Sequence, residues 1–143
     1  MIEAAILRAQ HPRGVLFLCV ANSARSQLAE GIARSLAPPE IAVFSAGSEP
    51  SSVRPEAVEV LSEIGIDIGS HHSKAIDTVD RAAVDTVITL CADEVCPAYL
   101  AQVRRAHWGL PDPAAVEGDG RLDAFRAARD ELRARLTLLF DPA

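Results

Sequence analysis

Val15-Leu16-Phe17-Leu18-Cys19 is an unbroken apolar run of strand length, preceded by Gly14 and followed by a polar loop. A strand that is apolar at every position needs cover on both faces, so the run predicts a central strand of a parallel sheet. Behind it, Leu28, Ile32 and Leu36 fall at helical spacing within Gln27 to Leu36, and Pro38-Pro39 stops that helix. The unit then repeats. Ile41 to Ala46 predicts a second strand ended by Gly47, and Pro55 opens a helix whose Val58, Leu61 and Ile64 face inward. Val84 to Leu90, rich in β-branched residues, predicts a third strand, and Ala106 to Leu110 a short fourth, stopped by Pro111. Leu122 to Phe140 reads as a long amphipathic helix with Leu122, Phe125, Ala128, Leu132, Leu136 and Leu139 on one stripe. Strands alternating with helices imply a single-domain α/β fold: a four-stranded parallel sheet, right-handed crossovers and helices on both faces. Residues 1–13 read as an N-terminal extension and residues 14–143 as the domain.

A chain of 143 residues, 49% hydrophobic and 24% charged, can bury its own core without disulfides or a structural metal. Lysine and arginine number 14 against 20 acids, a net charge of -6, which argues against nucleic acid as a partner. The longest apolar stretch, residues 15–21, is too short to span a bilayer, and the first residues lack a signal-peptide pattern. A cytoplasmic monomer with no membrane partner is the expectation. The three cysteines, Cys19, Cys91 and Cys96, are an odd number, which argues against a secreted disulfide framework and leaves thiol chemistry or metal binding.

The segment Cys19-Val20-Ala21-Asn22-Ser23-Ala24-Arg25-Ser26 joins the first strand to the first helix. Successive backbone N–H groups of Val20, Ala21, Asn22, Ser23, Ala24 and Arg25, with the helix N-terminus behind them, can surround a tetrahedral oxyanion. The Arg25 guanidinium can add a bidentate fork. The same donors favour a thiolate at Cys19, and the Ser26 hydroxyl can hydrogen-bond the sulfur. The alternative is an apolar cysteine ending a strand beside a surface arginine.

Residues 15–31 as a whole resemble the phosphate-binding loop of the low-molecular-weight protein tyrosine phosphatase superfamily, and within it the arsenate reductases. Phe44-Ser45-Ala46-Gly47, Gly65-Ile66-Asp67-Ile68, Val87-Ile88-Thr89-Leu90-Cys91 and His107-Trp108-Gly109-Leu110-Pro111-Asp112-Pro113 resemble further arsenate reductase segments in the same order. The resemblance covers roughly Val15 to Phe140. It implies that Cys19 attacks arsenate, that Cys91 attacks the cysteine–arsenic adduct so that arsenite leaves, and that Cys96 resolves the first disulfide. The final pair would be reduced by external thioredoxin, with no bound cofactor or metal. A glutaredoxin with a small thiol is the other reductant open at this point. Phosphate or sulfate would compete for the anion site.

Asp112 lies between two prolines after the fourth strand, where loops at the carboxyl edge of a parallel sheet gather ligands. A carboxyl there can protonate a departing oxygen, and a turn aspartate is the competing reading. The resemblance favours the acid. It also implies that Asn22, Glu30 and Ser45 support the loop. Where some relatives carry an aspartate that helps bind potassium, His71-His72-Ser73-Lys74 offers the Lys74 ammonium, so no potassium requirement is expected. Ala24 stands where many relatives have a second loop cysteine, and the gap from Cys91 to Cys96 is shorter than in the best-known thioredoxin-linked reductases.

Zinc held by Cys91 and Cys96 with His71 or His72 is disfavoured, because the histidines lack ligand spacing. Both histidines read as polar loop surface and Trp108 as a core or cleft-wall residue. Two other functions stay open. A phosphatase needs Cys19, Arg25 and Asp112 alone, but Pro113-Ala114-Ala115 supplies no ring to stack on phosphotyrosine. A thiol module that binds arsenite or senses oxidants needs the cysteines without Asp112.

Overall fold

The structure, a computed structural model, describes residues 11–91 and 103–140. Residues 1–10, most of the expected extension, lie outside the described residues, as does Cys96. The elements are β1 (Gly14–Cys19), α1 (Arg25–Leu36), β2 (Ala42–Gly47), α2 (Pro55–Ser62), β3 (Thr86–Thr89), β4 (Arg104–His107) and α3 (Gly120–Phe140). Short 3-10 turns occur at Ile76–Thr78, Arg81–Ala83 and Pro113–Ala115.

All strand pairings are parallel, in the order β2-β1-β3-β4, so β1 is central as its apolar run requires. Alternation along β1 sends Val15 and Phe17 to one face and Leu16 and Leu18 to the other. The first face packs against Leu28 and Ile32 of α1, Val60 and Leu61 of α2 and Phe125, Leu132 and Leu136 of α3. Among the described residues the second face is covered by Val79 and Val84, at the ends of two 3-10 turns, with Ile76 and Val103 beside them. The α/β class, the parallel sheet and the single domain agree with the sequence, and no described helix is long and apolar enough to cross a membrane.

The differences are local. The fourth strand is Arg104–His107 rather than Ala106 to Leu110, and three of its four residues are exposed because it forms the sheet edge. The α2 face that enters the core is Ala57, Val60 and Leu61; Val58 and Ile64 are only partly buried against it, and Ile64 lies beyond the helix. The α3 stripe is as expected except that Leu122 is half-buried, and Phe140 joins it.

Candidate active site

The loop from Val20 to Ala24 leaves the carboxyl end of β1 and enters α1 with no side-chain cap and no acid in the first turn. A helix start so left open presents unpaired N–H groups. Its neighbours orient the whole loop. Val20 O accepts from Glu49 N at 2.9 Å, Ala21 O from Ser51 N at 3.1 Å and Ser73 Oγ at 2.9 Å. Asn22 O accepts from Gln27 Nε2 at 3.2 Å, Ser23 O from Arg54 N at 2.9 Å and Ala24 O from Leu28 N at 2.9 Å. Four carbonyls in a row are thus held by neighbouring segments and the fifth by the first turn of α1, which leaves the peptide N–H groups as the donors a loop of this kind can offer an anion. Cys19, 2% exposed, is at its base.

Asn22 holds this shape. It adopts a left-handed conformation with φ 49°, which asparagine tolerates better than most residues. Its amide is fully used: Nδ2 donates to Ser26 Oγ at 2.7 Å and Ser45 Oγ at 3.0 Å, and Oδ1 accepts from Gln27 Nε2 at 3.0 Å and Lys74 N at 2.8 Å. Ser45 in turn donates to Glu30. Ser26 Oγ, which accepts from Asn22, also lies 2.9 Å from Cys19 Sγ, so its hydroxyl can donate to the sulfur. That bond stabilises the sulfur most when it is a thiolate.

Glu30, only 2% exposed, is a buried carboxylate with several partners. Arg34 Nη2 lies 2.9 Å from Oε2, and Lys74 Nζ lies 3.3 Å from Oε1, 3.5 Å from Ser45 Oγ and 3.1 Å from His72 O. The ammonium therefore sits between the Glu30 carboxylate and the Ser45 hydroxyl. His71 departs from the expected polar surface. Its Nδ1 is 3.2 Å from Gln27 Oε1, an acceptor, so Nδ1 carries the proton. Burial pushes the His71 imidazole below its ordinary value, against the opposing pull of Glu30.

Arg25 is 4% exposed, and its Nη1 donates to Leu110 O at 3.0 Å and Leu90 O at 3.4 Å. Its Nη2 is 4.0 Å from Asp112 Oδ2. One guanidinium thus ties the Cys19 loop both to the Asp112 loop and to the strand end that carries Cys91. Asp112 keeps one oxygen on Ala114 N at 3.0 Å, and its side chain is 37% exposed. It caps its own turn and also faces the site, so the two readings of its sequence context are compatible. Cys91 is buried at 1% exposure. Trp108 is a core residue, with the Arg135 guanidinium 5.6 Å from its ring centre.

Sequence reasoning passed over Gln27, Gly47 and Ser73. Gln27 shares a helix with the motif but acts on His71 and His72, and Ser73 acts on Ala21, so no local pattern marks either. Gly47 could have been found as the residue ending β2 at the level of Cys19, its partner in the register.

The sequence pattern of the low molecular weight phosphotyrosine protein phosphatase family matches residues 14–142. An arsenate reductase of Halalkalibacterium halodurans is 44% identical over 126 residues, covering 85% of this chain and 91% of its own. A solved arsenate reductase in the phosphate-binding state superposes with a TM-score of 0.74 at 36% identity, over 90% of this chain and 97% of that one. The thioredoxin-dependent arsenate reductase of Corynebacterium glutamicum gives a TM-score of 0.63 at 29% identity, over 93% of this chain and 66% of that one.

Proposed function

This chain belongs to the low molecular weight phosphotyrosine protein phosphatase family, and we propose that within it the chain is an arsenate reductase working through three thiols in turn. The observation that carries this reading is Arg25, which joins a thiol-based anion cradle to both Asp112 and the end of the strand bearing a second thiol. A hydrolase would use the cradle and the acid but gains nothing from Cys91.

Arsenate enters the N–H cradle of Val20 to Arg25, where Arg25 and the start of α1 balance its charge. The Cys19 thiolate, hydrogen-bonded by Ser26, attacks arsenic, an As–O bond breaks, and Asp112 protonates the departing oxygen. Cys91 then attacks Cys19 Sγ. The S–S bond forms, the S–As electron pair stays on arsenic, and As(V) leaves as As(III) in arsenite. The two thiols are tied by one side chain: Arg25, six residues after Cys19, donates from Nη1 to the carbonyl of Leu90, the residue before Cys91. Cys96 attacks Cys91, freeing Cys19, and a thioredoxin dithiol reduces the last disulfide, regenerating both thiols. The relative from Corynebacterium glutamicum, described as thioredoxin-dependent, supports that reductant. A cycle that returns to free thiols belongs in a reducing compartment, so we place the enzyme in the cytoplasm. Asn22, Glu30, Ser45 and Lys74 hold the cradle without touching substrate.

The test is arsenate-dependent NADPH oxidation with thioredoxin and thioredoxin reductase, with aryl phosphate hydrolysis in parallel. Cys19→Ser should abolish both, while Cys91→Ser and Cys96→Ser abolish arsenate turnover alone. Hydrolysis without arsenate turnover in the parent chain would make it a phosphatase.

A further inference from the structure

One peptide of the anion loop depends on a side chain that the mechanism above does not use. Gln27, the third residue of α1, is fully buried, and helical side chains lean toward the helix N-terminus, which brings its amide back over Asn22. Nε2 donates to Asn22 O at 3.2 Å, Asn22 Oδ1 at 3.0 Å and His72 O at 3.1 Å, so its two hydrogens serve three acceptors, while Oε1 faces His71 Nδ1 at 3.2 Å. Three oxygens on one side and the imidazole N–H on the other leave this amide a single orientation. Val20 O, Ser23 O and Ala24 O are each held by a backbone N–H, and Ala21 O by Ser51 N with the Ser73 hydroxyl. Among the described residues Asn22 O alone is held by nothing but a side chain, that of Gln27.

A trans peptide is planar, with its C=O and N–H pointing opposite ways, so Asn22 O directed at Gln27 sends the Ser23 N–H away from it. That peptide can turn over through ψ of Asn22 and φ of Ser23, and neither residue is proline or β-branched. Turned over, it sets a carbonyl dipole where the loop otherwise offers an N–H. We propose that Gln27 is a positioning residue that locks the Asn22–Ser23 peptide so that the Ser23 N–H binds the oxyanion, a role that rests on the anion-cradle part of the reductase reading. Gln27 sets the affinity for the anion through the loop and touches neither anion nor sulfur. A neutral amide suits the position, because the charges around it are already matched: His71 Nδ1 lies 4.0 Å from Glu30 Oε2, and Arg34 and Lys74 pair with the same carboxylate.

The experiment titrates the full chain with sulfate, reading affinity by calorimetry and the amide protons by NMR. In the parent, sulfate should move the Ser23 amide proton downfield, as a hydrogen bond to an anion does. Gln27→Met keeps the length of the side chain without its polar atoms; it should weaken sulfate about tenfold, the worth of one hydrogen bond to a charged group, and abolish the shift at Ser23 while Ala24 and Arg25 still respond. Gln27→Glu, which turns a carboxylate toward three carbonyl oxygens, should weaken it further. A folded Gln27→Met with the parent's affinity would overturn the proposal, as would equal loss of the shifts at Ser23, Ala24 and Arg25, which would make Gln27 a general prop. Should neither variant fold, the parent alone decides: a Ser23 amide unmoved by sulfate would refute the role. Because sulfate binding needs no reduction, the expected shifts beside absent arsenate turnover would sink the reductase reading and leave Gln27 in place, whereas normal turnover with Ser23 unmoved would sink the present proposal alone.

Discussion

A β-carbon placed on Gly47 would lie 2.4 Å from the carbonyl oxygen of Val20, 2.9 Å from Asn22 N and 3.0 Å from Cys19 O. All three are backbone atoms of the strand end and loop, so a side chain cannot be admitted by a rotamer change. Gly47→Ala is expected to cost about 1–3 kcal/mol in chemical denaturation and to weaken inorganic phosphate binding, read by calorimetry. Unchanged phosphate affinity would show that the cradle tolerates displacement.

Ser26→Ala removes the donor to Cys19 Sγ and leaves an Asn22 amide hydrogen without its acceptor. Alkylation of Cys19 should slow about tenfold, the worth of one hydrogen bond to a charged group. Assayed with Cys91 and Cys96 changed to serine, an unaltered rate would mean that the sulfur draws its stabilisation from the loop N–H groups alone.

Lys74→Met takes the ammonium away from Glu30 and leaves Arg34 as its strong ionic partner. A loss of about 1–3 kcal/mol is expected for the poorly compensated buried carboxylate. Thermal melts in potassium and in sodium at equal ionic strength should coincide for the parent and diverge for the variant, with potassium stabilising. A potassium effect on the parent would refute the internal-cation account.

Glu63 binds Arg126 at 2.7 Å and Arg129 at 2.7 Å, linking the residue after α2 to α3, and these partners lower its carboxyl from 4.5 to about 2. A lowered carboxylate contributes stability above its unfolded value and loses it as the proton binds. The melting difference between the parent and Glu63→Gln should therefore be constant above about pH 5 and close as pH falls from 4.5 toward 2. Added salt should shrink it in part, since Glu63 and Arg126 face water while Arg129 is largely covered. A difference that persists at pH 2 would assign it to packing instead.

The strand–loop–helix unit and the pairing of Cys19 with Arg25 and Ser26 were legible because local spacing and hydrophobic pattern encode them. Asp112 was legible only as two alternatives, since a capping aspartate and a general acid share the same proline-flanked sequence. The boundaries of β4 were not legible. An edge strand bearing Arg104 and Arg105 lacks the apolar signal that marks β1, while Leu110 is buried without being in a strand. The bonding of Gln27 to His71 and His72 and the Thr89–His107 pair were not legible because each joins residues 18 to 45 apart, a separation on which local periodicity carries no information.

The donors that turn the loop carbonyls outward also set an order of assembly. Glu49, Ser51, Arg54 and Ser73 follow the motif in the chain. A nascent chain released only as far as Leu36 therefore contains every residue of the recognisable signature and none of the scaffold that inverts its peptides. The thiol is therefore made well before the segments, as far as residue 74, whose hydrogen bonds hold its loop in shape.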